Sequence, residues 1–180
     1  MGPGVGFWAG DGDVASFDGA TLLFYGSRTD KLGMQAARRH FDGEILEIEI
    51  REPAFHGNMA VLPLPAGDCL LVSADVIEDD ALALLEARFG RDRIHLISQA
   101  ETLSYANNAL PVGDVLIAPR TFAPRVKDLV EREGMKLVML DLPELCGKAG
   151  GASRCMVCVV EDDLEVPEQH RLAAVRSSIT

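Results

Sequence analysis

The stretch AGDCLLVSADVIEDDALALLEARFGRDRIHLIS, residues 66–98, contains the pattern that decides the fold. It begins with a turn and a short apolar run, continues with a segment that carries Leu82, Leu85 and Phe89 on one helical face, and closes with a second apolar run. Apolar residues every three or four positions are typical of a helix, whereas short apolar runs between turns are typical of strands. The stretch therefore predicts a strand, a helix and a second strand.

Two further stretches repeat this pattern. Residues 18–50 contain DGATLLFYG, the helix-like TDKLGMQAARRHF and EILEIEI, and residues 112–142 contain VGDVLIAP, APRVKDLVEREG and KLVMLDL. Gly19, Gly67 and Gly113 mark the same turn in each copy, 48 and 46 residues apart. The segments NMAVLPL and NNALPV come just before the second and third turns and predict one further strand. A fixed period indicates one repeated supersecondary unit, here β-β-α-β.

These repeats predict an α/β fold of stacked ββαβ units. One such unit cannot bury both of its faces, so neighbouring units must stack or close into a ring. Because the chain starts with a loop, we expect that it forms the back portion of a longer ring. The predicted boundaries are a domain over 1–160, units at about 13–52, 58–98 and 105–160, a last strand ASRCMVCVV at 152–160, and a charged tail at 161–180.

Composition excludes several classes of function. The chain has 180 residues, of which 48% are hydrophobic and 25% charged, as expected for one domain with an apolar core. A net charge of −11 without a basic cluster would repel nucleic acid. No apolar run reaches the roughly 20 residues that cross a bilayer, and MGPGVGFWAGDGD lacks the features of a signal peptide. We therefore expect a cytoplasmic protein that binds no membrane and whose four cysteines are thiols.

Cys155, at the end of KAGGASRC, is the first candidate for chemistry. A cysteine attacks as its thiolate, and a neighbouring cation such as Arg154 favours that form. Two other interpretations remain open at this point. Cys155 and Cys158 are either small apolar residues buried in a terminal strand, or a redox or zinc pair, for which zinc would need two more ligands.

His56 is the candidate for proton transfer. It lies in PAFHGNMAVLPL, just before a predicted strand, which places the ring at a strand edge where a site can open. Histidine changes its charge near neutral pH and therefore suits general acid–base chemistry. The alternative is that the ring only makes a local hydrogen bond.

Three charged residues are further candidates. Asp11 and Asp13 stand among the glycines of FWAGDGDV, where two carboxylates either bind a cation or hydrogen-bond their own backbone in a turn. Arg28, in GSRTD, falls between a predicted strand and a predicted helix. Its planar guanidinium there either binds the carboxylate of a substrate or covers a surface.

Taken together, these motifs resemble the guanidino-group-modifying enzymes of the pentein superfamily, which include arginine deiminases, dimethylargininases and amidinotransferases. The likeness covers residues 7–160 and is carried by FWAGDGDV with SRTD downstream, FHGNM, YANNALPVGD and ELCGKAGGASRCMVC. That family is known for a propeller of five ββαβ units around a polar site. The resemblance implies that this chain carries the last three units, since five would need roughly 230 residues at this spacing.

The resemblance also implies a role for each candidate. Cys155 would attack the central guanidinium carbon, and His56 would protonate the leaving amine or ammonia and then activate water or an acceptor amine. Arg28 matches the arginine that binds the carboxylate of the amino-acid substrate. Asp11 and Asp13 would contact the guanidinium.

Two positions depart from the family pattern. Relatives usually carry a glutamate where this chain has Ala9, and an aspartate where it has Asn58, two positions after the histidine. Asp11 is expected to replace the carboxylate lost at Ala9. Asn58 is expected to contact the substrate through a neutral amide, which weakens its hydrogen bond by about 1 kcal/mol or more relative to a carboxylate.

The resemblance therefore implies a hydrolase that acts on the guanidinium C–N bond of arginine or a substituted arginine through a covalent cysteine intermediate, with no cofactor and no metal. An amidinotransferase shares the first half-reaction and is one alternative. The other is a truncated, catalytically silent member that acts as a binding module. Exposed strand edges and apolar unit faces would favour a homo-oligomer.

Overall fold

Three small β-sheets, one in each repeated unit, form the frame of the protein. The computed structural model describes residues 5–158. In every sheet the first two strands form an antiparallel hairpin, and the third strand lies parallel to the second. The strands are β1 (Val14–Phe17), β2 (Ala20–Tyr25), β3 (Glu44–Glu49), β4 (Val61–Leu64), β5 (Cys69–Ser73), β6 (Ile94–Ile97), β7 (Leu110–Val112), β8 (Val115–Pro119) and β9 (Lys136–Leu140).

Helices connect the parallel strands, because parallel neighbours need a crossover and not a tight turn. Asp30 caps the first helix by accepting a hydrogen bond from the backbone N–H of Gly33 at 2.7 Å, and Pro124 begins the last helix. The predicted α/β fold of ββαβ units is thereby confirmed. None of the described helices is both long and apolar enough to cross a bilayer. The helices are α1 (Lys31–Arg38), α2 (Asp79–Phe89), the linking helix α3 (Gln99–Leu103) and α4 (Pro124–Arg132).

The second sheet is the centre of the core because both of its faces are buried. On one face of β5, Leu70 and Val72 pack with residues of the first unit. On the other face, Cys69 and Leu71 pack with residues of the third unit. All five residues of β5 are buried, which explains why CLLV is apolar at every position and does not alternate.

The hairpin turns differ from one another more than the repeated glycines predict. Asp18 and Gly19 have positive φ angles of 48° and 75°, as a two-residue turn in a hairpin requires, and Gly113 has a φ of 59°. In the second turn the positive φ falls on Asp68 instead of on Gly67. The three glycines therefore lie in the corresponding hairpin turn of each unit, but only Gly19 and Gly113 adopt a positive φ.

The strand predicted over residues 152–160 is wrong for its described part. Ser153–Met156 form a 3-10 helix. The reason is local, because Asn108 accepts hydrogen bonds from the backbone N–H groups of Ala152 and Arg154 and so takes donors that a strand ladder would use. The predicted charged tail lies outside the described residues.

Gly67→Ala is expected to destabilise the protein, because the added Cβ would lie 2.6 Å from the Cβ of Glu133 at the end of α4. Overpacking of this kind lowers the free energy of unfolding by about 1–3 kcal/mol, which urea denaturation measures. Gly147→Ala is the matched control, since nothing lies within 4 Å of a Cβ at that position. Equal stability of the two variants would contradict the packing of the second hairpin against α4.

Candidate functional site

A cavity of about 630 Å³ opens where three loop segments meet. Its walls come from residues 9–12 ahead of β1, residues 55–58 ahead of β4 and residues 145–158 after β9. This volume suits a small-molecule ligand. Four of the predicted site residues line the cavity, namely Asp11, His56, Asn58 and Cys155.

Asp13 lies behind His56 and not in the cavity wall. Its side chain is 1% exposed and accepts hydrogen bonds from the Thr29 hydroxyl at 2.6 Å and from the Gly57 backbone N–H at 2.7 Å. His56 Nδ1 lies 3.2 Å from Asp13 Oδ2, so Nδ1 carries the proton of this contact and Nε2 remains for other partners. The expectation that Asp13 binds substrate is thus corrected, because its carboxylate is occupied by the protein itself.

Cys155 is exposed at the cavity, within the 3-10 helix that replaces the predicted strand. The chain reaches it through Gly150, whose φ is 72°, and Gly151, where a Cβ would lie 3.1 Å from the Cys155 sulfur. The two glycines therefore allow the turn and leave space beside the sulfur. The interpretation of Cys155 as a buried strand residue is wrong.

Asn108 joins two parts of the cavity wall and was not among the predicted site residues. Its side-chain nitrogen donates to Asn58 Oδ1 at 3.0 Å, and its side-chain oxygen accepts from the Ala152 backbone N–H at 2.6 Å. Asn58 Oδ1 in turn lies 3.9 Å from the Cys155 sulfur. The sequence signal is the pair of amides that opens the otherwise apolar segment NNALPV.

Asp11 binds a guanidinium of the chain itself. Arg154 Nη2 lies 2.8 Å from Asp11 Oδ2, and Arg154 Nη1 donates to the backbone oxygen of Val157 at 2.7 Å. The guanidinium of Arg154 therefore binds Asp11 and the backbone of Val157. The sequence had instead predicted that its charge stabilises the thiolate of Cys155. The Asp11 side chain is still 27% exposed, so part of its carboxylate is open to a ligand.

Arg28 lies at the rim of the cavity. Its side chain is exposed, and its guanidinium carbon lies 5.7 Å from the centroid of the Phe55 ring, which lines the cavity. A cation–π contact of this kind holds the guanidinium next to the entrance. Arg28 therefore lies next to the cavity that Asp11, His56, Asn58 and Cys155 line, but it is not part of the cavity wall.

Tyr105 fixes the segment that precedes the Cys155 loop, since its hydroxyl donates to the backbone oxygen of Cys146. Burial raises the pKa of Tyr105, and the nearby Cys146 and Cys155 raise it further, so the hydroxyl stays a donor at neutral pH. Burial also raises the pKa of the Cys146 thiol. A higher thiol pKa lowers the thiolate fraction, which disfavours Cys146 as a nucleophile.

Cys155 and Cys158 belong to no group of three or more metal-ligating side chains within residues 5–158. A zinc ion bound by these two cysteines would therefore have no further protein ligands in the described part of the chain. Both are free, exposed thiols.

No family model matches the sequence, but comparison with known proteins finds a similar sequence and similar solved structures. The bifunctional arginine dihydrolase/ornithine cyclodeaminase ArgZ of Synechocystis sp. (strain ATCC 27184 / PCC 6803 / Kazusa) is 23% identical over 156 residues, which are 86% of this chain and 22% of ArgZ. The product-bound N-terminal domain of ArgZ superimposes with a TM-score of 0.75 at 24% identity, over 83% of this chain and 55% of the domain.

Two other solved structures are similar. AgrE in complex with ornithine and NAD+ superimposes with a TM-score of 0.75 at 23% identity, over 87% of this chain and 24% of AgrE. SxtG, an amidinotransferase from Microseira wollei, superimposes with a TM-score of 0.61 at 17% identity, over 80% of this chain and 45% of SxtG.

The chain thus spans about half of the ArgZ N-terminal domain and about a fifth of the whole of ArgZ. The match extends over most of this chain, which is built from three ββαβ units. The resemblance seen in the sequence motifs is therefore confirmed for the fold. The chain has the pentein-like α/β fold that occurs in the arginine dihydrolase ArgZ and the amidinotransferase SxtG.

Proposed function

We propose that the protein hydrolyses a guanidinium C–N bond, in arginine or a substituted arginine, through a covalent intermediate on Cys155. The observation that carries the proposal is that Cys155 and His56 line one cavity, with His56 held through Nδ1 by the buried Asp13. A nucleophile and a proton-transfer group in one small cavity are what this reaction needs. ArgZ, an arginine dihydrolase, and AgrE, whose structure is known with L-arginine, support this substrate class.

In the first half-reaction, the Cys155 thiolate forms a bond to the central guanidinium carbon, and the electrons of one C–N double bond move to nitrogen. The tetrahedral adduct then expels an amine or ammonia, which takes a proton from His56 Nε2. An amidino group remains bound to sulfur. The buried Asp13 carboxylate stabilises the cationic imidazole and fixes which nitrogen gives up the proton.

In the second half-reaction, the now neutral His56 accepts a proton from water, and the hydroxide attacks the amidino carbon. Collapse of this adduct breaks the C–S bond, returns Cys155 as a thiolate and releases the hydroxyl proton to solvent as the C=O bond forms. The product carries a C–O bond in place of the broken C–N bond. A working thiolate needs a reducing compartment, which agrees with the cytoplasmic location expected from the sequence.

Three side chains are proposed to hold the substrate. Asp11 already accepts a hydrogen bond from the guanidinium of Arg154, so its carboxylate suits a planar cation. Asn58 Oδ1 lies 3.9 Å from the attacking sulfur and can accept from a guanidinium N–H. Arg28, whose guanidinium lies over the Phe55 ring of the cavity wall, is proposed to bind the carboxylate at the far end of an amino-acid substrate.

Amidinotransfer is the second candidate, because SxtG has the same fold. The two reactions differ only in whether water or an amine enters the second half-reaction. Incubation with arginine in the absence of an acceptor amine separates them. A hydrolase turns over, a transferase stops with an amidino group on Cys155, and a silent binding module does neither.

A haloacetamidine, which joins a guanidinium-like group to an alkylating carbon, is expected to label Cys155. Cys155→Ser should abolish both this label and arginine turnover, because no nucleophile remains. Cys158→Ser is the matched control, since Cys158 also lines the cavity and is exposed. Peptide mass spectrometry locates the label. A label confined to Cys158, or to Cys69, whose pKa burial raises to about 12, would contradict the assignment.

Asp13→Asn is expected to lower kcat by about 10²–10⁴-fold, because an amide no longer selects the Nδ1–H form of His56 or stabilises its cation. Asp42→Asn, at an exposed position, is the control. A thermal melt gives the fraction of folded protein, and the activity is divided by that fraction. An unchanged activity per folded molecule in Asp13→Asn would refute the role of Asp13.

Asn58→Asp is expected to lower the KM for arginine by about fivefold or more, since a charge-assisted hydrogen bond is stronger than a neutral one by about 1 kcal/mol. The aspartate keeps an oxygen acceptor for the Asn108 side chain. Steady-state kinetics measure the change. Inhibition by a neutral ureido analogue is the control and should not tighten. Equal tightening for both ligands would show that Asn58 does not face the cation.

A further inference from the structure

A second cluster of reactive side chains lies at the other end of the second unit. His56 and the cavity precede β4, whereas Cys69 follows the hairpin turn at the far end of β4 and begins β5. His95 lies on the adjacent strand β6, and Glu133 lies at the end of α4 in the third unit. The ligand atoms of these three residues all lie within 4.8 Å of one another. None of the three lines the cavity.

The backbone directs these side chains toward one another. Leu71 is paired with His95 in the parallel ladder, and Cys69 is two residues from Leu71, so Cys69 and His95 project from the same sheet face. That face packs on the third unit. Gly67 allows the end of α4 to approach, because a Cβ there would lie 2.6 Å from that of Glu133. The cluster therefore sits at a rigid junction of two units.

The three side chains are close enough to converge on one metal ion. Glu133 Oε1 lies 3.1 Å from His95 Nε2, and Glu133 Oε2 lies 3.9 Å from the Cys69 sulfur. Ligand atoms on tetrahedral zinc lie about 3.3–3.7 Å apart, given metal–ligand bonds of about 2.0–2.3 Å. The ligand atoms of all three residues lie within 4.8 Å of one another, so side-chain rotation would be needed to bring the three donors onto one ion.

The donor set selects the kind of metal. Thiolate and imidazole suit zinc and similar borderline cations, whereas magnesium and calcium require oxygen ligands. Cys69 is buried, and His95 and Glu133 are each about a quarter exposed at the side chain, 26% and 29% respectively. The sulfur is therefore shielded from solvent while the other two donors leave a path for the ion.

We propose that Cys69, His95 and Glu133 bind a zinc ion that links the hairpin of the second unit to α4 of the third. This site is separate from the proposed catalytic cavity and does not depend on the proposed reaction. On binding, the Cys69 thiol proton is released to solvent and the sulfur, imidazole and carboxylate each donate an electron pair to the ion. Water fills the fourth position of a tetrahedral site with three protein ligands. The sequence alone predicted no metal for this chain.

The test uses the full chain carrying Cys155→Ser and Cys158→Ser, so that no cavity thiol contributes to the signal. After treatment with a chelator, the protein is titrated with Co²⁺, whose thiolate charge-transfer and tetrahedral ligand-field bands report directly on sulfur coordination. One equivalent of Co²⁺ per chain is expected to produce these bands, and Zn²⁺ should displace them. Cys69→Ser should abolish the charge-transfer band.

His95→Gln provides an independent readout, because this residue is partly exposed and its replacement should leave the fold intact. Loss of a residue that only hydrogen-bonds a metal ligand weakens metal affinity by about 10–100-fold. Because His95 is proposed to bind the metal directly, we expect His95→Gln to weaken the affinity by more than this. The matched controls are His40→Gln and Cys146→Ser, which lie outside the cluster and should bind as before.

A thermal melt completes the test. Zinc at 100-fold excess over Kd is expected to raise Tm by about 5–10 °C in the parent chain, and not in His95→Gln. Circular dichroism confirms that each variant is folded. The proposal is overturned if cobalt gives no thiolate band, or if the bands and the Tm increase survive both Cys69→Ser and His95→Gln. In that case the His95–Glu133 contact is a hydrogen bond only.

Discussion

The buried carboxylate of Asp13 is the constraint on which the site depends. A carboxylate away from water is costly unless its oxygens receive hydrogen bonds. Asp13 receives them from Thr29 in the first unit and from the His56–Gly57 turn ahead of the second unit. Satisfying this one charge therefore joins two units and orients the imidazole. The same carboxylate thus stabilises the contact between the two units and fixes the orientation of the His56 ring.

Asn108 has a comparable part on the other side of the cavity, where it connects the Asn58 turn to the loop of Cys155. In both cases a polar side chain between two units positions a reactive one. The sheets supply a rigid frame, and the segments between them carry the chemistry, as is usual where loops are mounted on a packed scaffold. The central, doubly buried sheet makes this possible because the adjoining units pack against its two faces.

The repeat, the helix faces and the fold class were predictable because they depend on local periodicity, which a single sequence displays. His56 and Cys155 could be named as candidates because few residue types carry out proton transfer or nucleophilic attack, and both line the cavity. The burial of Asp13 and the contacts of Asn108 were not, since they arise between residues distant in the chain. The strand expected around Cys155 failed for the same reason, because Asn108 captures backbone donors that local propensity assigned to a ladder.

The ion pair between Asp11 and Arg154 joins residues 143 positions apart. Closing a contact of such long range costs chain entropy, which other interactions between the units must offset. The ion pair therefore depends on the prior or simultaneous ordering of the chain between its two residues, which includes all three sheets. The walls of the cavity come from both ends of the described chain as well as from the segment of His56, so the cavity exists only when the whole tertiary structure is formed.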